Sequence, residues 1–236
     1  SLTALKDFSE VIKTYNVHKI RAVATSVVRE SENGSEFVKQ VAENTGLRVE
    51  VISGEEEAKL TVLGVLNSVS IKARECIIFD IGGGSTEYVH IKDSNIINLV
   101  STNLGVVHLT EEFLRNEIET EHELAQLSLN IHKTLQQNLE NLEILSKNDL
   151  ILIGTAGTPT TLAAIELKLK EYKPELVNNF VLTKKMVSLT IKKLIDIPKK
   201  DRTQIIGLEK GREDILIAGA LILIETLRKY SQNSVI

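Results

Sequence analysis

Asp80-Ile81-Gly82-Gly83-Gly84-Ser85-Thr86-Glu87 is the stretch on which the reading of this chain turns. The apolar run Cys76-Ile77-Ile78-Phe79 ahead of it has the length and β-branched character of a buried strand, and Tyr88-Val89-His90-Ile91 behind it alternates like a second strand. The eight residues therefore read as a tight strand-to-strand turn. Three successive glycines remove every Cβ from that turn, which lets backbone N–H groups approach an anion closely and opens conformations with positive φ. Phosphate cradles are built in this way. Asp80 and Glu87 bracket the turn with carboxylates that would by themselves repel a phosphate; a divalent cation, or a role in polarising water, would explain them. For an isolated triple glycine the plain alternative is an ordinary hairpin with a solvent-facing Ser-Thr-Glu. Other segments weigh against it.

The chain of 236 residues is long enough for one large or two small domains, and its pattern favours two, over 1–73 and 74–236. With 42% hydrophobic and 25% charged residues it has the balance of a soluble globular protein rather than a disordered one. A net charge of -4 supplies no basic field to gather polyanions over a wide surface, so neither nucleic acid nor membrane is an expected partner. An anionic ligand would need a local site. The single cysteine, Cys76, lies in an apolar strand and reads as a buried core thiol, which fits a reducing compartment. No stretch approaches the roughly 18 uninterrupted apolar residues of a membrane span. Ser1-Leu2-Thr3-Ala4 opens no secretory signal, so the expected location is the cytoplasm.

Residues 2–15 place Leu5, Phe8, Val11 and Ile12 on one helical face, Lys19–Thr25 reads as a strand, and Ser26–Asn33 as a polar turn. A helix over about 35–44 closes at Gly46, and Leu47–Ile52 is another strand. This order predicts parallel α/β packing, with the loops after the two strands, 25–33 and 53–57, at one rim. Ser53-Gly54-Glu55-Glu56-Glu57-Ala58 opens a helix with a capping residue and acidic first-turn side chains. Capping accounts for Glu55 and Glu56; three adjacent glutamates exceed what capping needs.

The second half opens with an antiparallel meander over 75–79, 86–92 and 96–102, turned at Asp93-Ser94-Asn95. A helix follows from Val106, and 121–145 is a long structural helix. His122 and His132 on it, and His90 and His108 elsewhere, read as surface residues without metal partners. Leu150–Ile153 is a short apolar strand, and Gly154-Thr155-Ala156-Gly157-Thr158 directly after it is a second glycine loop, with Pro159 opening the next helix. That helix N-terminus would point at a ligand of the loop. Helices over 183–195, 198–206 and 215–227 complete the chain, the last mostly buried.

Taken together, Arg21–Ser26 with Arg29 and Asn33, Val51–Ala58, Asp80–Glu87, Leu104–Val107, Gly154–Thr158 and Gly211–Asp214 resemble the exopolyphosphatase / guanosine pentaphosphate phosphatase family, in the expected order over nearly the whole chain. The resemblance implies an α/β, actin-like (ribonuclease H-like) two-domain fold, with phosphate held between glycine loops on either side of a cleft. By motif position Glu57 looks like the catalytic residue that orients or deprotonates the attacking water, and Glu87 like its partner carboxylate, positioning water or Mg²⁺. Asp80 looks like a metal or phosphate-loop residue, and Arg29 like the phosphate-binding arginine. Amides of Gly82, Gly83, Gly84 and Ser85 would cradle phosphate oxygens, and Gly154, Thr155, Gly157 and Thr158 would form the second phosphate loop.

The implied activity is Mg²⁺-assisted release of the terminal phosphate from inorganic polyphosphate or guanosine pentaphosphate. Placed water, charge neutralisation and little else are what such chemistry requires. The family's opening strand and its aspartate-glycine-serine-asparagine-serine loop have no counterpart in this sequence, so the first domain is expected to be incomplete at its N-terminus. A sheet edge left open there would favour poor solubility or a homodimer. Two other readings remain at this point, a non-catalytic phosphate or nucleotide sensor and an actin-like sugar or acetate kinase.

Overall fold

A computed structural model describes residues 1–70, 74–140, 142 and 149–236. The chain forms two compact units, Ser1–Leu60 and Thr61–Ile236. The sequence reading sets the division after residue 73, which lies outside the described residues, as does most of the expected helix beyond residue 140. Among the described residues no helix is long and apolar enough to cross a membrane.

The first unit runs α1 (Leu2–Thr14), β1 (Ala22–Ala24), α2 (Ser26–Glu30), α3 (Gly34–Thr45), β2 (Val49–Val51) and the start of α4 (Gly54–Ser68). β1 and β2 pair in parallel, Ala22 opposite Val49 and Ala24 opposite Val51. The α3 helix ends as its sequence requires, with Gly46 in the left-handed conformation at φ 74. The expected polar turn over 26–33 is instead α2, because the Thr25 carbonyl accepts from both the Val28 and Arg29 N–H groups and winds the segment. α1 forms, yet its buried residue is Ser9, whose hydroxyl donates to the Thr45 carbonyl (2.9 Å), while Phe8 and Val11 are exposed.

The second unit is built on a meander, β3 (Glu75–Ile81), β4 (Thr86–Lys92) and β5 (Asn95–Thr102), followed by α5 (Val106–Phe113) and α6 (Glu121–Asn138). Asp93 and Ser94 turn β4 into β5 with positive φ, as a two-residue hairpin demands. β6 (Leu150–Thr155) leads into α7 (Gly157–Glu166), α8 (Pro174–Val177), β7 (Leu182–Thr183) and α9 (Lys184–Ile195). A 3₁₀ turn over Lys199–Gln204 stands where a helix over 198–206 is expected; then come α10 (Leu216–Lys229) and β8 (Ser234–Val235).

The main sheet has the order β5-β4-β3-β6, antiparallel across the meander and parallel between β3 and β6. A meander with a parallel fourth strand added beside its first is the ribonuclease H-like order expected of an actin-like domain. One face packs Ile77, Phe79 and Tyr88 against α6 and α10, and α10 is buried along nearly its whole length, as its sequence predicts. Cys76 is buried, and desolvation pushes its thiol up to about 11. His90 departs from the surface reading. It is 4% exposed and shares a hydrogen bond with buried Glu75 (2.8 Å), a partner on the neighbouring strand that local sequence does not reveal.

Candidate functional site

The β3–β4 register sets Asp80 directly opposite Glu87, the β3–β6 register sets Thr155 beside Asp80, and the β4–β5 register sets Ser101 beside Glu87. Directly opposed residues point to the same face of a sheet. Thr155, Asp80, Glu87 and Ser101 thus form one polar row across four strands. The row lies where β3 and the parallel β6 both end, the place where such sheets position ligands. Glu87 is 7% exposed, and its Oε1 accepts from the hydroxyls of Ser85 (2.6 Å) and Ser101 (3.0 Å). Thr61 Oγ1 lies 3.5 Å from Asp80 Oδ2. Beside Asp80 and Thr155 opens a cavity of about 360 Å³, walled otherwise mostly by apolar groups such as Val65, Pro159 and Phe180.

The glycine turn hangs from the end of this row. Gly82 N–H donates to the Ser85 carbonyl (2.9 Å), closing the turn, while Gly83 and Gly84 are exposed. No hydrogen bond among the described residues engages the N–H groups of Gly83 or Gly84. The sequence argument for positive φ here does not hold: the left-handed glycines are Gly46, Gly207 and Gly211. The start of α5 is seated on this turn. Val106 and Val107 donate their N–H groups to the carbonyls of Gly82 and Gly83 (3.0 Å each). A Cβ on Gly105 would lie 2.2 Å from the Gly84 carbonyl carbon.

The second loop divides its expected residues differently. Gly154 N–H is taken by the Ile236 carbonyl (2.8 Å), and a Cβ there would meet Pro159 at 2.9 Å, so this glycine serves packing. Thr158 is buried with its side chain against Gly219 of α10. Thr155 belongs to the polar row. α7 begins at Gly157, two residues before Pro159, and no side chain caps it.

Sequence reasoning gave Arg212 no role, yet it is the cation of this loop. A Cβ on Gly157 would fall 1.9 Å from Arg212 Nη1, so the guanidinium lies directly against the start of α7. Two positive ends meeting in this way suit an anion. Arg212 is held by Glu209 (Nε to Oε2 2.6 Å), and its segment by Arg202, a fully buried guanidinium that donates to the Glu213 carbonyl (3.1 Å) and to buried Glu119 (2.9 Å). The quoted Gly211-Arg212-Glu213-Asp214 motif was the one available signal.

In the first unit the three adjacent glutamates take three different partners. Glu55 pairs with Lys59 (2.6 Å), whose ammonium holds its carboxyl below the usual range, and Glu56 pairs with Arg21 (3.2 Å). Ser53 caps α4 by accepting from the Glu56 N–H (3.2 Å). Glu57, the most sheltered of the three pairs, lies 3.5 Å from Arg29 Nη1. Arg29 also donates to the Ile52 carbonyl (2.8 Å), tying α2 to the end of β2 and to the first turn of α4.

Mg²⁺ keeps several waters and takes one or two protein carboxylates. Asp80 and Glu87, hard oxygen donors in direct register with Glu87 Oε2 outside the serine contacts, fit such an ion. Among the described residues no group of three or more His, Cys, Asp or Glu side chains gathers to cage a metal more fully.

The sequence profile of the Ppx/GppA phosphatase family matches residues 1–236. The chain is similar to the bifunctional 3-dehydroquinate synthase/phosphatase of Fusobacterium nucleatum, 33% identical across 100% of this chain but only 36% of that protein. Exopolyphosphatase 2 of Mycobacterium tuberculosis is 27% identical over 98% of this chain and 73% of its own length. The crystal structure of the Aquifex aeolicus Ppx/GppA family member superposes with a TM-score of 0.83 at 30% identity, over 99% of this chain and 74% of that one.

Proposed function

The chain belongs to the Ppx/GppA phosphatase family, and from that membership we propose that it is a phosphohydrolase that releases the terminal phosphate of inorganic polyphosphate or guanosine pentaphosphate with water as the nucleophile. The observation that carries this reading is the polar row Thr155-Asp80-Glu87-Ser101 with a glycine loop at the end of each of the two parallel strands, β3 and β6.

In the step, a water oxygen bonds to the terminal phosphorus, the bridging P–O bond breaks, and the shortened phosphate chain leaves with that electron pair. Phosphoryl transfer of this kind depends on positioning and on neutralising oxygen charge. The exposed amides of Gly83 and Gly84, the uncapped start of α7 and the Arg212 guanidinium are the groups suited to hold the non-bridging oxygens. Mg²⁺, held by Asp80 and Glu87, would supply further charge neutralisation. Glu87, fixed by two serine hydroxyls, orients the water. The proton-accepting carboxylate that the reaction needs is assigned to Glu57, with Arg29 fixing its position.

The test is phosphate release from polyphosphate, from guanosine pentaphosphate, and from ATP with and without acetate or a sugar, all with Mg²⁺. Release from either of the first two supports the reading. Binding without release makes the protein a sensor, and phosphoryl transfer to acetate or sugar makes it a kinase.

A further inference from the structure

We propose that Ala156 is a positioning residue: the strained turn it makes between β6 and α7 sets the start of α7 against Arg212, and phosphate affinity follows how readily residue 156 holds that turn. The inference rests on the phosphohydrolase reading only in taking a phosphate group as the ligand.

Ala156 has φ 67 and ψ -164, a combination that glycine adopts freely and that a residue with a Cβ adopts only under strain. Such conformations persist where the surroundings over-determine them, and here they do. Upstream, Thr155 is locked in register with Asp80, and the Gly154 N–H is bound to the Ile236 carbonyl. Downstream, Thr158 packs against Gly219 and Pro159 against Gly154 with no room for added atoms. The change of direction from strand to helix has to be completed at residue 156 and nowhere else.

One side chain braces the turn. Thr160 Oγ1 donates to the Ala156 carbonyl (2.8 Å) and lies 3.3 Å from the Gly157 carbonyl. Relaxing Ala156 to negative φ would take its carbonyl away from that hydroxyl and move Gly157 out from under the guanidinium. Between these fixed ends only the 156–157 segment is free to change, with intrinsic backbone preference pulling one way and the Thr160 brace pulling the other. A phosphate that needs the braced state binds in proportion to its population.

The experiment is a double-mutant cycle on the full chain with inorganic phosphate as the probe, titrated by calorimetry, alongside melting temperatures. Thr160→Val, which removes the brace at nearly constant volume, is expected to weaken phosphate binding about fivefold to tenfold. Ala156→Gly alone should raise the melting temperature and bind phosphate at least as tightly as the parent. Combined with Thr160→Val it should restore the lost affinity, because glycine holds the turn without the brace. A merely structural Ala156 would give no such restoration. Unchanged affinity in Thr160→Val, no restoration in the double variant, or no rise in melting temperature for Ala156→Gly would each overturn the proposal. If the parent chain binds phosphate but hydrolyses neither substrate, the phosphohydrolase reading fails while the mutant cycle still decides this one; a parent that binds no phosphate overturns this proposal and leaves the phosphohydrolase reading to the release assay.

Discussion

Replacing Gly105 by alanine tests whether the glycine turn carries α5. The added Cβ would lie 2.2 Å from the Gly84 carbonyl carbon and 2.3 Å from the Gly83 oxygen. Carbon atoms in contact keep about 3.5–4.0 Å, so α5 must recede by more than about 1 Å. The hydrogen bonds from Val106 and Val107 to the turn, both 3.0 Å, would then be broken or badly stretched. Two neutral hydrogen bonds at about 1 kcal/mol each, with about 1–3 kcal/mol for overpacking, give a loss of roughly 3–5 kcal/mol. None of that is backbone strain, since φ -97 and ψ 135 at Gly105 suit alanine. The matched control is Gly83→Ala, whose Cβ would meet only Val107 Cγ2 at an ordinary 3.5 Å. It should cost under about 0.5 kcal/mol in stability, but it puts a methyl group on the surface assigned to phosphate and should lower turnover at least about tenfold. Urea unfolding followed by circular dichroism reads the first effect, and phosphate release the second. A Gly105→Ala protein as stable as the parent would refute the seating argument; full turnover in Gly83→Ala would refute the cradle.

Glu57→Gln keeps size and hydrogen bonding but cannot accept a proton, so phosphate release should fall by about 10² to 10⁴ with little change in melting temperature; near-normal turnover would remove Glu57 from the mechanism. Arg29→Ala deletes both the bond to the Ile52 carbonyl and the partner of Glu57. It should lower stability by about 1–3 kcal/mol and also raise KM, and a lower melting temperature with unchanged KM would confine Arg29 to a structural role. Glu123 closes a capping box at the start of α6. Burial pushes its carboxyl up, but hydrogen bonds from Thr120 and Asn116 outweigh that and hold it at about 2, against 4.5. A depressed carboxylate stabilises the fold above its unfolded value and loses that contribution as pH falls through the folded one. Glu123→Ala should therefore cost about 1 kcal/mol at pH 7 and progressively less between about pH 4.5 and 2; a pH-independent cost would contradict the assignment.

Most elements are legible from local pattern. The apolar run of β3, the Asp93-Ser94 hairpin, the Gly46 helix end and the apolar length of α10 each carry their own signal within a few residues. What escapes is whatever depends on a partner distant in sequence. Glu75 buries His90 from the next strand, and Gly219 draws the Thr158 side chain into the core, so neither position could be read from its neighbours. Arg212 faces Gly157 across some fifty intervening residues, and only the three-dimensional approach gives it a role. The triple glycine marks a tight turn, but none of its glycines is left-handed, and the position that close approach reserves for glycine is Gly105 at the start of α5. Periodicity cannot distinguish those two demands, because glycine answers both.

The direct opposition of Asp80 and Glu87 also restricts how this stretch can change in length. Between the last paired residues, Ile81 and Thr86, run the four residues Gly82 to Ser85. Side chains alternate along a strand with a period of two, so inserting or deleting a single residue in that turn would rotate β4 over and send Glu87 to the face that Tyr88 now fills. A single-residue insertion could be tolerated only as a bulge that leaves the ladder beyond it in phase. Related sequences can therefore vary the chemistry of the turn while single-residue insertions and deletions are filtered out. The same rule holds the Asp93-Ser94 hairpin at the other end of β4, because a one-residue change there would turn Ser101 away from Glu87, so length variation in that hairpin should come two residues at a time.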